Sequence, residues 1–181
     1  MILALALCLF VIATKAAANT GVTQPDPLDI MDMVNVDERL AVISRNHTLK
    51  TKVDCHSTKK VRGYGTNVYL YNLRGRKNTT VGYEYESGNV NVTLEQIRGT
   101  EKYIAKYTVK TGQKTITLLK TDEDKNCFVI FVQNSKDGGC ELLVKAPLVT
   151  NIPRECQNYF ENNCKGEKVQ LYKPGCNYEN F

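Results

Sequence analysis

The chain has 181 residues and a formal net charge of +5, a length that holds one domain with a real core. The positive charge is scattered, with no long Lys/Arg block, which argues against a nucleic-acid partner. After the N-terminus no run is apolar for the roughly 20 residues that a membrane-spanning helix needs.

The chain opens on an apolar run from Ile2 to Ala13, followed by Ala16-Ala17-Ala18. An apolar stretch ending in a small-x-small site is the pattern of a secretory signal peptide. Residues 1–18 are therefore expected to be removed, leaving residues 19–181 as a single secreted, extracellular domain. Six cysteines remain: Cys55, Cys127, Cys140, Cys156, Cys164 and Cys176. An even count in a secreted chain implies three disulfides, among the fifteen connectivities that six cysteines allow. No C-x-x-C or H-x-x-x-H pair supports a metal site, and no cofactor motif occurs. Sequons begin at Asn46, Asn78 and Asn91, and secretion makes them usable for glycosylation.

Residues 19–38 contain the turn-prone Gly21, Pro25 and Pro27 and then LDIMDMV, read as one short helix starting near Asp29. From Arg39 the pattern becomes that of strands: RLAVISR, KVDCHSTKKV, NVYLYNL, TVGYEYE, NVTLEQI, YIAKYTV, KTITLLK, CFVIFVQ and CELLVKA, most of them separated by turn residues. With no helix between them, parallel crossovers are excluded and an antiparallel meander follows. The nine segments compete for eight strands of a barrel, and NVYLYNL is expected to extend a neighbour or to lie outside it.

Alternation gives each strand an inner face. Tyr103, Ala105, Tyr107 and Val109 oppose Lys102, Lys106 and Lys110. Val90, Val92 and Leu94 oppose Asn91, Thr93 and Glu95, which puts the Asn91 sequon on the solvent side. Tyr83 and Tyr85 alternate with Glu84 and Glu86, and Ile116 and Leu118 face inward from the following strand. The expected ligand wall is thus Tyr83, Tyr85, Val92, Leu94, Tyr103, Tyr107, Ile116, Leu118, Glu141 and Leu143, rich in tyrosines with apolar bodies and polar tips. Glu141 and Leu143 share one face of the strand GGCELLVKA. An inward glutamate serves a ligand, or forms a structural ion pair with a lysine or arginine. After Pro147, PRECQNYFENNC reads as a helix with proline in its first turn and a packing stripe of Cys156, Tyr159 and Phe160.

The bridges can be partly deduced. Cys127 and Cys140 start the two antiparallel strands of one hairpin, so their sulfurs lie about 20 Å apart at ~3.3 Å per residue and cannot bond. The chain leaves the second strand near Cys127, where Cys156 can return to it. A helix rising 1.5 Å per residue carries Cys164 some 15 Å along the wall toward Cys140, which leaves Cys55 for Cys176.

An early-strand cysteine, the strand Cys127-Phe128-Val129, the strand Cys140-Glu141-Leu142 and a cysteine-bearing C-terminal helix resemble tick salivary lipocalins of the histamine-binding-protein family. The resemblance spans the chain after the leader and is most specific from Cys127 to Cys176. It implies an all-β, eight-stranded antiparallel lipocalin barrel with a ligand cavity, a short N-terminal helix, and a C-terminal helix packed on the wall. It implies the pairings Cys55–Cys176 and Cys127–Cys156, in agreement with the geometry. Such proteins are delivered in saliva into the host, where they capture inflammatory mediators or act on immune cells.

The family's amine-binding signature resembles C-[DE]-V, then E-L-[WY] and a later cysteine. Here the acid is replaced by Phe128 and the aromatic by Leu143, and the chain has no tryptophan. An ammonium wants a carboxylate and an aromatic face, so the resemblance points instead to a larger apolar ligand. LDIMDMV, the sequons and the lost amine motif fit the Japanin-like subgroup, which modifies dendritic-cell behaviour and is associated with a sterol-type ligand. The expected partners are a sterol or other lipid and a host immune-cell surface protein, and the expected state is a monomer. The competing readings are a scavenger of histamine, serotonin or leukotrienes, favoured if two of Glu84, Glu86 and Glu141 faced inward together, and a complement-binding barrel. No nucleophile elbow, catalytic carboxylate pair or phosphate loop marks an enzyme. His47 sits inside a sequon and His56 follows a cysteine, so both are read as surface or strand residues.

Overall fold

The structure, a computed structural model, describes residues 26–134 and 137–179. The expected signal peptide, residues 1–18, lies outside the described residues. A short helix α1 (Met31–Val34) precedes eight long strands: β1 (Leu40–Arg45), β2 (Val53–Gly63), β3 (Val68–Thr79), β4 (Gly82–Gln96), β5 (Tyr103–Val109), β6 (Gly112–Thr121), β7 (Cys127–Gln133) and β8 (Gly138–Lys145). Helix α2 (Arg154–Asn163) and a two-residue strand β9 (Val169–Gln170) follow. All pairings are antiparallel. Neighbours in sequence are neighbours in the sheet, and β1 joins β8 to β2, closing an eight-stranded barrel.

The strand count needs one correction. NVYLYNL is a full barrel strand, the start of β3, and the surplus segment is TVGYEYE, which fuses with NVTLEQI into the single strand β4. The intervening Ser87-Gly88-Asn89 carries turn-forming residues but stays extended. It pairs without a break with Arg74, Leu73 and Asn72 of β3, and the Asn72 side chain donates to Asn89 Oδ1 at 3.0 Å. Local turn preference yields here to twelve continuous rungs of ladder.

Two layers of core result. Inside the barrel, Leu40, Val42, Val92, Leu94, Ile130 and Leu143 share one buried cluster with Ile30, Met33 and Val34 of the helical segment. Asp29 fixes that segment, because its Oδ1 accepts from Met31 N and from Tyr103 N, each at 3.1 Å. The helix therefore plugs the end of the barrel where β1 begins. Outside, Cys156 and Phe160 of α2 pack with Ile43, Val129, Leu142 and Val144 against the opposite face of the same strands. The three disulfides join Cys55 to Cys176, Cys127 to Cys156 and Cys140 to Cys164.

One seam of the barrel is incomplete on its own. β1 and β2 pair only at Leu40–Thr58 and Ala41–Ser57. Beyond that point the C-terminal segment fills the gap: Leu171 N donates to Ile43 O and Cys55 N donates to Leu171 O, both at 2.8 Å. Leu171 is buried in the inner cluster, so the tail supplies part of the wall. The Cys55–Cys176 bridge, Tyr85 Oη accepting from Asn177 N at 2.7 Å, and Arg76 Nη1 donating to Gly175 O at 3.4 Å hold it there.

Candidate functional site

The barrel encloses a cavity of about 540 Å³, inside the roughly 300–1,000 Å³ range of small-molecule sites. Its two ends differ in chemistry. Toward the plug it is lined by Ile30, Met33, Val34, Val42, Val92 and Leu143, which alternation and helical spacing turn inward together. Toward the other end it is lined by Arg45, His47, His56, Lys114 and Glu141, with Tyr107 between the two zones.

Arg45, Glu141 and the two histidines each have a local reason for facing inward. Arg45 and Glu141 are directly opposed in the β1–β8 register. His56 is turned in by a β-bulge. Cys55 adopts φ 48°, and the β2–β3 register slips between Asp54 and Ser57. Cys55 therefore points out to Cys176 while the next residue points into the cavity. Gly75 makes room, since a Cβ there would stand 2.6 Å from Val53 Cγ1 and 3.1 Å from His56 Cδ2. His47 follows β1 and rests on Gly139, where a Cβ would lie 2.8 Å from the His47 Cβ and 2.4 Å from Asn46 Oδ1. Each histidine thus sits over a glycine of the neighbouring strand.

His47 Nε2 lies 3.1 Å from Glu141 Oε1, too bent for an in-line hydrogen bond, and its Nδ1 lies 3.2 Å from Thr48 Oγ1. The Glu141 side chain keeps 16 % exposure although protein surrounds it, so that exposure is to the cavity. Burial alone would raise its carboxyl. The contact with His47 and the charge of Arg45 outweigh that and hold it below the ordinary carboxylate value. Burial, reinforced by the nearby Arg45 charge, lowers the His56 imidazole and favours its neutral form. Burial, with Glu141 nearby, pushes the Tyr107 phenol up and keeps it protonated. The Lys114 ammonium contacts Asn134 Oδ1.

Of the residues expected on the wall, Val92, Tyr107, Ile116, Glu141 and Leu143 line the cavity. Leu94, Tyr103 and Leu118 belong to the same inner cluster, under the plug. Tyr83 and Tyr85 stand elsewhere: Tyr83 is 66 % exposed, and the Arg76 and Arg74 guanidinium groups cover the two rings at 4.2 and 4.1 Å. Their stretch of β4 lies before its first rung with β5 and pairs with β3 alone, so alternation there separates two outer faces rather than a wall and a cavity. Glu84 is exposed, and Glu86 reaches the rim with its carboxylate 3.0 Å from Lys77 Nζ. Glu141 is then the enclosed carboxylate of the cavity, with His47 Nε2 3.1 Å from it and Arg45 opposed to it in the register.

His47 and His56 need the opposite correction. His56 is a strand residue, but both line the cavity and His47 is buried. A bulge and a strand end had hidden their direction from simple alternation. The glycines beneath them, Gly139 in DGG and Gly75 in RGR, carry no readable sign of them. Asn78 and Asn91 are exposed. Asn46 is engaged at both ends of its amide: Nδ2 donates to Lys165 O at 2.7 Å, and Oδ1 accepts from Cys140 N at 2.6 Å.

Comparison with known proteins agrees with this architecture. The family described as tick histamine binding protein matches residues 29–178, and the chain belongs to that family. None of the curated proteins matches the sequence. Among solved structures, Japanin from Rhipicephalus appendiculatus bound to cholesterol is 14 % identical with a TM-score of 0.58, covering 75 % of this chain and 92 % of that one. The siderocalin Ex-FABP, described as functioning through dual ligand specificities, is 16 % identical with a TM-score of 0.46, covering 77 % and 95 %. The fold and family are those of ligand-binding carriers.

Proposed function

We propose that this member of the tick histamine-binding protein family is a secreted salivary lipocalin that holds a sterol or comparable apolar ligand in its barrel and modulates host immunity through dendritic-cell responses. The observation that carries the ligand reading is the cavity of about 540 Å³ with an apolar floor. Phe128 stands where the amine signature has an acid and is fully buried, and Leu143 stands where it has an aromatic ring. The remaining acid, Glu141, is already shared with His47 and opposed by Arg45. A small cation would meet the Arg45 guanidinium beside the one enclosed carboxylate, and the chain lacks the acid and the aromatic ring that the signature supplies at positions 128 and 143. The cholesterol bound by the structurally similar Japanin supports an apolar occupant. Burying ~300 Å² of apolar ligand at about 25 cal/mol per Å² supplies roughly 7 kcal/mol before binding costs.

The three disulfides and the apolar run of residues 2–13 support the secreted reading. Asn78 and Asn91 are the glycosylated sequons and Asn46 remains bare, which peptide mapping before and after glycan removal will check. Native mass spectrometry of the purified secreted protein, with lipid extraction, tests the ligand. A retained sterol-like mass is expected, whereas a protein that carries no lipid and takes none up refutes the reading. The immune reading is tested by adding the protein to maturing dendritic cells. Unchanged maturation markers would remove that half of the proposal.

A further inference from the structure

The charged end of the cavity has hydrogen-bonding capacity that the fold does not use. Arg45 is 6 % exposed, yet among the described residues its guanidinium makes one hydrogen bond, from Nη2 to Thr48 O at 2.9 Å, and its Nε has no partner. A buried guanidinium with unspent donors is costly unless something accepts from it. Glu141 faces it across the β1–β8 register, open to the cavity and without a direct ion pair to it. The lining's other ammonium, carboxylate and guanidinium groups have partners: Lys114 contacts Asn134, Glu86 pairs with Lys77, and Arg74 Nη1 donates to Asn177 O and Glu179 O at 3.4 and 3.2 Å.

From this geometry we infer that Arg45 and Glu141 form a head-group subsite for an uncharged hydroxyl, which accepts from the guanidinium and donates to the carboxylate. The inference rests on the apolar-ligand reading above and specifies its polar end. A ligand carboxylate or sulfate would come up against Glu141, and a ligand ammonium would come up against Arg45; like charges in a buried site are strongly disfavoured. A hydroxyl brings no charge and is both donor and acceptor, so it satisfies both walls at once. The ligand's apolar body then lies toward Leu143, Val42 and the α1 plug, with the hydroxyl at the mouth. His47 and His56 act as positioning residues, flanking the pair from the ends of β1 and β2. Tyr107, the hydroxyl anchor expected from the strand pattern, stands beside this subsite and is secondary to it.

The test is displacement of the fluorescent sterol dehydroergosterol from the full secreted protein at neutral pH by four analogues of one skeleton. These are cholesterol, its 3-methyl ether, its 3-sulfate and the 3-amino analogue. Cholesterol should displace the probe at least about tenfold better than the ether, which cannot donate, because a hydrogen bond to a charged group is lost. The sulfate and the amine should also be at least about tenfold weaker than the alcohol. Glu141→Gln should narrow the deficit of the sulfate specifically, and Arg45→Met that of the amine; a general loss of packing would not produce this crossed pattern. An ether as effective as the alcohol, or a sulfate or amine that outcompetes it, overturns the hydroxyl subsite while leaving the apolar-ligand reading intact. Failure of dehydroergosterol itself to bind overturns both. The wild-type series decides the matter even if a variant does not fold.

Discussion

The two ends of the cavity are built by different means. The plugged end is mainly apolar contact: α1, the starts of β1, β5 and β7, and the ends of β4, β6 and β8 bury side chains that neighbouring residues already orient. The mouth is built from ions and is assembled from afar. It needs a bulge at Cys55, glycines 75 and 139 beneath two histidines, a cross-strand pair nearly a hundred residues apart in sequence, and a tail to close its wall. Apolar burial is non-directional and forgiving of small displacements, whereas buried charge depends on geometry and partners. The plug should therefore govern stability and the mouth should govern selectivity.

Removing the tail's anchor tests that division most severely. Cys55→Ser with Cys176→Ser opens a 121-residue separation, against 24 for Cys140–Cys164. The loop-entropy relation gives about 5 kcal/mol for the first and about 3.5 kcal/mol for the second, to be read from urea unfolding. Hydrogen exchange should rise at Ile43 to Arg45 and around Cys55 while α1 and Leu118 stay protected. Uniform loosening of both ends would break the comparison.

Next in size is Leu143→Ala. Leu143 is 1 % exposed, and truncation there should cost about 2–5 kcal/mol. Tyr107→Phe, which removes one hydroxyl at the border of the two zones, should cost about 1 kcal/mol or less. Comparable losses for the two would contradict an apolar floor that dominates stability. Gly139→Ala should cost about 1–3 kcal/mol by overpacking, because its Cβ would meet Asn46 Oδ1 and the His47 Cβ. Its loss of sterol selectivity should exceed its loss of stability, a contrast that paired denaturation and analogue displacement will measure.

The smallest effect is on pH dependence. Hydrogen bonding to Arg76, at 2.8 and 2.9 Å, holds the Asp54 carboxyl below its ordinary value against the opposing effect of burial. Glu141 is depressed as well. A carboxyl lowered by folding contributes stability that is fully present above its unfolded pKa, about 4, and is lost as pH falls through the folded value. His56, also lowered, adds a gentler loss as pH falls below about 6.5. Thermal melts from pH 7 to pH 3 should decline in those two stages. Asp54→Asn should flatten only the lower one, and an unchanged acid limb in that variant would remove Asp54 from the account.

Much of this was legible in the chain. Alternation such as Val90-Val92-Leu94 against Asn91-Thr93-Glu95 decides which side chains share a face, because successive strand residues must point to opposite sides. Cysteine order on antiparallel strands, with the reach of one helix, led to the three bridges that the structure contains. Glu141 and Leu143 were placed on the cavity wall by the same rule. What the chain alone decided was therefore the meander, the bridges and the greasy half of the cavity, each fixed by near neighbours or by covalent reach. Tertiary structure decided that Ser87-Gly88-Asn89 stays extended, that Tyr83 and Tyr85 lie outside, that the tail completes the seam, and that His47, His56 and Arg45 gather round Glu141. These depend on register between distant strands and on a single bulged residue, and one residue of slip reverses a strand's faces without leaving any mark in the local pattern.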